Sequence, residues 1–338
     1  MIGALGAIGA IGAIGAVGAV GAAGAFGAIV RGCLSLLIVL AVASCGGSSA
    51  PPRRIIGVSM AHFDDNWLTI LRTAMADHAA TYQEFEIQFS DAQGDVGRQL
   101  SQIQNFAAQG AAAIVVNAAD TSATPGMTKI ARDAGVPLIY VNRRPAEERL
   151  PDRVVFVGSD DLDAGRLEME ELARLMNYRG NVAIMVGELA SNGAQLRTKA
   201  VETVVAKYPA MKVVEKQVGN FQRERGLDLM NNWLTAGTKI DVVAANNDEM
   251  AIGAIMAIQQ AGMKPGQILV GGVDATPDAL AELAKGTLAV TVFQDARGQG
   301  RGAVDAAIRL SRGEPVDSFV WIPFELVTRE NYKAFLDR

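Results

Sequence analysis

The chain has 338 residues, half of them apolar, with 31 basic against 36 acidic side chains for a formal net charge of −5. A negative balance argues against nucleic acid as a partner, because phosphate binding needs a basic face. From Cys45 onward the chain carries one Cys and two His, too few for a four-ligand His/Cys metal site, and nothing in the sequence calls for a metal or a cofactor.

Residues 2–29 repeat Gly-Ala-x without a charge. Ala, Ile and Val stand where collagen would carry proline, and glycine at every third position disfavours a helix. The segment reads as a low-complexity extension, with Val30 as an alternative start. Leu34–Ala43 is an apolar run shorter than the roughly 20 residues that span a bilayer. Arg31 precedes it and Val42-Ala43-Ser44-Cys45 follows, the layout of a secretory signal peptide. Val-Ala-Ser-Cys resembles a bacterial lipobox, in which the Cys carries lipid and becomes the first mature residue. The alternative is an ordinary export signal that contains a Cys. Residues 1–44 are therefore expected to be extension plus lipoprotein signal, and residues 45–53, rich in Gly, Ser and Pro, a flexible tether. The exported remainder keeps Cys45 alone and can form no internal disulfide.

From Arg54 onward, short apolar segments alternate with helical patterns. The segments at 55–59, 114–116, 138–141, 182–186, 212–214, 242–245, 269–273 and 288–293 read as strands. Helices are expected at 67–80, 96–109, 121–134, 164–177, 194–208, 223–235, 249–261, 277–285 and 298–311. Asp95 and Thr276 suit N-caps, the latter with Pro277 at the first helical position. Gly110, Gly135, Gly237 and Gly262 suit positions just past helix ends. Alternating elements with strongly apolar strands imply parallel sheets covered on both faces, in a doubled α/β architecture long enough for two cores.

Each of the eight apolar segments is followed by polar or aromatic residues. Ligands of open parallel sheets bind outside the carboxyl ends of the strands, so these residues describe one cleft. Asp65 and Trp67, within Phe63-Asp64-Asp65-Asn66-Trp67, can accept from neighbouring hydroxyls and cover an apolar ring face. The alternative is an Asp cap before a core Trp. Arg143 and Arg197 offer planar donor forks. Asn117, Asn247, Asp274 and Gln294 are ordinary loop polars raised by their shared position. Phe221 sits in a loop beside Asn220, whereas Trp233 falls inside a helix and reads as core.

Catalytic patterns are weak by comparison. Gly298-Gln299-Gly300-Arg301-Gly302-Ala303 fits a dinucleotide fingerprint, but no acid-terminated strand follows about 20 residues on. A tight turn and close helix packing account for it. There is no Gly-x-Ser-x-Gly elbow, His62 and His78 lack a nucleophile partner in sequence, and adjacent Asp64 and Asp65 rarely face one bond from opposite sides. An enzyme is not expected.

The clusters resemble bacterial periplasmic sugar-binding proteins of the ribose and galactose type, over nearly all of Arg54–Thr328. Ile56-Gly57-Val58 through Trp67 is similar to the galactose-type first strand and loop. Ala245-Asn246-Asn247-Asp248-Glu249-Met250-Ala251 and Gly272-Val273-Asp274-Ala275-Thr276-Pro277-Asp278 match stretches common to the group. Gly57-Val58-Ser59-Met60-Ala61, residues 117–125 and Thr291-Val292-Phe293-Gln294-Asp295-Ala296 resemble inositol and rhizopine binders in particular.

The resemblance implies a type I periplasmic binding fold: two similar Rossmann-like lobes with parallel sheets, joined by a three-strand hinge and closing on a ligand. The N-terminal lobe would comprise 54–159 and 295–320, and the C-terminal lobe 160–294 and 321–338. Ligand contacts would fall on Asp65, Trp67, Asn117, Asn142, Arg143, Arg197, Phe221, Asn247, Asp274 and Gln294. The group often has Asp where Asn142 stands, and its galactose-type members Trp where Phe221 stands. The implied function is an extracytoplasmic, lipid-anchored, monomeric solute-binding protein that hands a cyclic polyol, with myo-inositol or a related inositol first, to an ABC permease and its ATPase subunits. Galactose or ribose is the alternative ligand, and a sugar-sensing receptor without uptake the alternative role. A repressor core shares the fold, but an export signal stands where its DNA-binding helices would be.

Overall fold

The computed structural model describes residues 52–338. The Gly-Ala repeat, the signal segment and Cys45 lie outside the described residues.

Two six-stranded sheets organise the chain. The first takes β1 (Arg54–Met60), β2 (Phe85–Asp91), β3 (Ala113–Val116), β4 (Leu138–Val141), β5 (Val154–Gly158) and β11 (Phe319–Trp321), in the order β11-β5-β4-β3-β1-β2. The second takes β6 (Gly180–Val186), β7 (Met211–Val218), β8 (Val242–Ala245), β9 (Leu269–Gly271), β10 (Val290–Phe293) and β12 (Glu325–Thr328), in the order β12-β10-β9-β8-β6-β7. Every strand pairing is parallel except β10 with β12. The central strands are buried along their whole length, as continuous Val/Ile/Ala runs require when helices cover both faces.

The helices fill the connections: α1 (Asn66–Ala79), α2 (Val96–Ala108), α3 (Thr124–Asp133), α4 (Asp161–Leu175), α5 (Asn192–Ala206), α6 (Arg223–Thr235), α7 (Asp248–Gln260), α8 (Pro277–Lys285) and α9 (Ala296–Ser311). Asp95 and Thr276 cap α2 and α8 by accepting from Arg98 and Ala279 backbone N–H groups. Gly110, Gly135, Gly237 and Gly262 all carry φ near +70°, the left-handed turn that glycine makes without steric cost. The chain leaves the first sheet after β5, returns to it through α9 after β10, and crosses again between β11 and β12.

Several boundaries differ from expectation. The helices expected from Ala164 and Gly298 start at Asp161 and Ala296, because Asp160 and Asp295 cap polar first turns that an apolar period does not reveal. The single helix expected over 121–134 begins as a 3₁₀ turn, Thr121–Ala123, and becomes α-helical with Pro125 in its first turn, where proline's missing N–H costs nothing. Four strands, β2, β5, β11 and β12, lie outside the eight expected segments.

A glycine of α4 brings two helices of the site together. A Cβ on Gly165 of α4 would stand 2.2 Å from the Arg197 carbonyl oxygen; its absence lets α5 lie directly on α4. Trp233 is buried in the core of the second sheet's lobe, and its indole N–H has no partner among the described residues. Trp233→Ala should cost about 3–5 kcal/mol in urea unfolding. Trp233→Phe should cost less, because it also removes an unsatisfied donor. Ligand affinity should hold in both variants, measured by calorimetry.

Candidate ligand-binding site

The carboxyl ends of the two sheets face one cavity. Asp65 enters from the β1–α1 connection, Trp67 and Leu68 from the first turn of α1, and Asn142 and Arg143 from the end of β4. Across from them stand Asp161, Ser191, Gly193 and Arg197 from the starts of α4 and α5, with Phe221, Asn247, Asp274 and Gln294 from the ends of β7 to β10. The space between them, open solvent at the mouth included, is about 460 Å³. Nine of the ten residues expected to contact ligand line this wall. Asn117 does not. It is wholly buried behind the wall, accepting from Ala61 N–H at 3.3 Å and donating to the Val141 carbonyl and Asn142 Oδ1. It holds three strand ends in place.

Arg197 is the hub. Its Nε donates to Asp161 Oδ1 at 2.8 Å, Nη1 to the Asn246 carbonyl at 2.7 Å and Nη2 to Gln294 Oε1 at 3.2 Å. Asp274 Oδ1 lies 3.9 Å from Nη1, so the guanidinium sits between two carboxylates. Burial pushes the Arg197 pKa down, but Asp161 and Asp274 outweigh it and raise it. Burial raises the Asp161 carboxyl and drives Asp274 well above its ordinary value, against the pull of Arg197. Asp274 is attracted by Arg197 without a hydrogen bond to its carboxylate among the described residues. That leaves its oxygens free for a ligand's hydroxyl donors.

Asp65 reaches the cavity while capping α1, accepting from Leu68 N–H at 2.7 Å; burial raises its pKa too. The Trp67 indole donates to the Gln294 carbonyl at 3.1 Å, which fixes its ring. Phe221 fits because Gly187 has no side chain: a Cβ there would fall 2.1 Å from the ring. Asn142, Phe221 and Asp274 hold φ of +66°, +61° and +123°, conformations that cost non-glycine residues energy and cluster at functional sites. Asp161 escaped the sequence reading, although the rule that found the others applies to it: β5 is wholly apolar and Ser159-Asp160-Asp161 follows its end. Ser191, Gly193 and Leu68 carry no comparable signal.

The model of the periplasmic binding protein domain matches residues 56–315. The chain belongs to the periplasmic binding protein family. Such proteins work outside the cytoplasm and bind their ligands without converting them. A curated Rhizobium meliloti protein named for rhizopine binding is 48% identical over 291 residues, covering 85% of this chain and 94% of that protein. An ABC transporter solute-binding protein from Bacillus halodurans C-125, solved with bound myo-inositol, superposes with a TM-score of 0.81 at 42% identity, over 86% of this chain and 99% of that one. The Caulobacter myo-inositol-binding protein, also with myo-inositol, gives a TM-score of 0.78 at 29% identity, over 84% and 97%. Two lobes of parallel sheet are thus this chain's architecture as well as its relatives'.

Proposed function

We propose that the cavity binds a cyclic polyol, myo-inositol or a closely related inositol, and that the protein delivers it to an ABC permease with its own ATPase subunits. The observation that carries this reading is the wall's chemistry: half-buried Asp65 and buried Asp161 and Asp274 share it with the guanidiniums of Arg143 and Arg197, beside Trp67 and Phe221. A ring with hydroxyls around its whole rim offers donors to the carboxylates and acceptors to the guanidiniums, and an apolar face to the aromatic rings. Asp65, Trp67, Asn142, Arg143, Arg197, Phe221, Asn247, Asp274 and Gln294 are the contacts assigned here, with Asn117 supporting them.

Sheet membership supports assigning 54–159 with 295–320 to the N-terminal lobe and 160–294 with 321–338 to the C-terminal lobe. We further assign Cys45 as the lipidated first residue of a monomeric, membrane-anchored protein. Mass spectrometry of protein from its native membrane should find a diacylated Cys45; an unmodified terminus elsewhere would refute the anchor.

Thermal-shift screening against inositols, galactose and ribose tests the ligand. Ligand at 100 times its Kd stabilises the native state by about 2.7 kcal/mol, so an inositol should raise Tm by several degrees. A larger shift with galactose or ribose would replace the inositol by a pyranose or pentose. Myo-inositol recovered after incubation should be unchanged.

A further inference from the structure

One carboxylate at the mouth of the cleft belongs to neither the cavity wall nor a lobe's own packing. Glu188 stands on the loop between β6 and α5, in the second sheet's lobe, yet both its oxygens meet side chains of the first. Oε2 accepts from Arg143 Nη2 at 2.7 Å, and Oε1 lies 3.1 Å from His62 Nε2. Two residues on, the Ala190 carbonyl accepts from the Thr121 backbone N–H at 3.0 Å and hydroxyl at 3.1 Å. The 187–191 loop therefore grips connections after β1, β3 and β4. Arg143 is otherwise held by the Ala118 and Ala119 carbonyls at 3.2 and 3.3 Å, and it lines the cavity. Parting the lobes would strip Glu188 of both partners.

We propose that Glu188 is a positioning residue that takes hold of Arg143 and His62 across the cleft, so that lobe closure and placement of the Arg143 guanidinium in the cavity wall are one event. This rests on the reading of the cavity as a polyol site, but it concerns how the site shuts rather than what fills it.

The latch carries its own pH signature. His62 faces Glu188 and Arg143, with Asp64 and Asp65 on its own loop. Arg223, Glu224 and Glu249 share the adjoining space, and from the connection after β2 uncharged Gly94 approaches its ring. The Glu188 hydrogen bond raises the His62 pKa above its ordinary 6.5, outweighing burial. Burial would raise Glu188, but His62 and Arg143 bring it down to about 2. A raised imidazole pKa favours closure fully below its open-state value and loses that contribution as pH climbs through the closed-state value. The Glu188 contribution is full above its ordinary 4.5 and is lost as pH falls from there toward about 2.

The chain's two histidines make the test direct. His78, paired with Asp305 at 2.7 Å, is the internal control. With saturating myo-inositol, the His62 resonance should titrate at higher pH than in Glu188→Gln. The wild-type Kd should be about two- to fivefold weaker at pH about 8 than at about 5.5, the range expected of a partly exposed ion pair. The ratio should fall in Glu188→Gln and His62→Gln, leaving only what the wall carboxylates Asp65, Asp161 and Asp274 contribute. Identical His62 titrations in wild type and Glu188→Gln, in protein that binds inositol, would overturn the latch and leave the ligand reading intact. If no inositol, galactose or ribose binds, the ligand reading falls instead. The latch is then judged in a Thr121→Cys/Ala190→Cys protein closed by its disulfide. There the Glu188→Gln difference must persist, and its absence overturns the latch.

Discussion

Arg197→Ala should cost about 3–5 kcal/mol of folding stability, the range for removing one partner of a buried ion pair, and should abolish measurable ligand binding. The guanidinium is the shared partner of Asp161, the Asn246 carbonyl and Gln294, and it lies 3.9 Å from Asp274. Without it, two buried carboxylates lose their nearby cation, and the strand ends after β8 and β10 lose a common donor. The loss should depend on pH. Burial already raises the Asp161 and Asp274 pKa values, and Arg197 restrains both. A carboxyl whose folded pKa exceeds its unfolded one takes up protons on folding in the window between them, so stability falls as pH rises through that window. The variant should therefore regain part of its deficit on acidification from neutral pH, until other carboxylates titrate. Urea unfolding at neutral and mildly acidic pH measures this; an equal deficit at both would mean that Asp161 and Asp274 do not ionise against Arg197.

The hub also marks where sequence reading stops. Asp161, Asn246 and Gln294 lie 36, 49 and 97 residues from Arg197, so no local pattern contains the network. What the sequence does encode is where apolar strands end, and of the ten residues that strand ends and the family resemblance together pointed to, nine meet at one cavity. Asn117 exposes the limit of the rule. A strand's end says where the backbone goes, whereas the Asn117 amide turns back to tie Ala61 and Val141. β2 escaped notice because Phe85–Asp91 is a sheet-edge strand, half-buried and alternating apolar with polar residues, and so carries no apolar run. Glu188 follows β6 just as Asn247 follows β8, yet its role depends on which residues of the other lobe it meets. The placement of apolar strands and of helices along the chain is local enough to read; pairing across the cleft is not.

Asp274→Asn should separate binding from stability, moving them in opposite directions. The Asp274 carboxylate is buried, raised well above its ordinary pKa mainly by desolvation, and attracted by Arg197 without a hydrogen bond among the described residues. Neutralising it removes the cost of holding a charge there, so the ligand-free variant should melt higher than the wild type. The amide cannot accept at both ends; where a ligand presents two hydroxyl donors, one then meets an N–H and goes unpaired. An unpaired buried group costs about 1–3 kcal/mol, so affinity should fall at least about tenfold. Asparagine suits the test better than alanine. Residue 274 holds φ at +123°, and Asn tolerates positive φ more readily than most side chains, so backbone strain does not confound the result. Arg197 keeps Asp161 as its partner, which protects the hub. Calorimetric titration with myo-inositol beside ligand-free melting curves reads both arms. A variant that melts lower and binds equally well would make Asp274 a structural acid and move the ligand's hydroxyl contacts to Asp65.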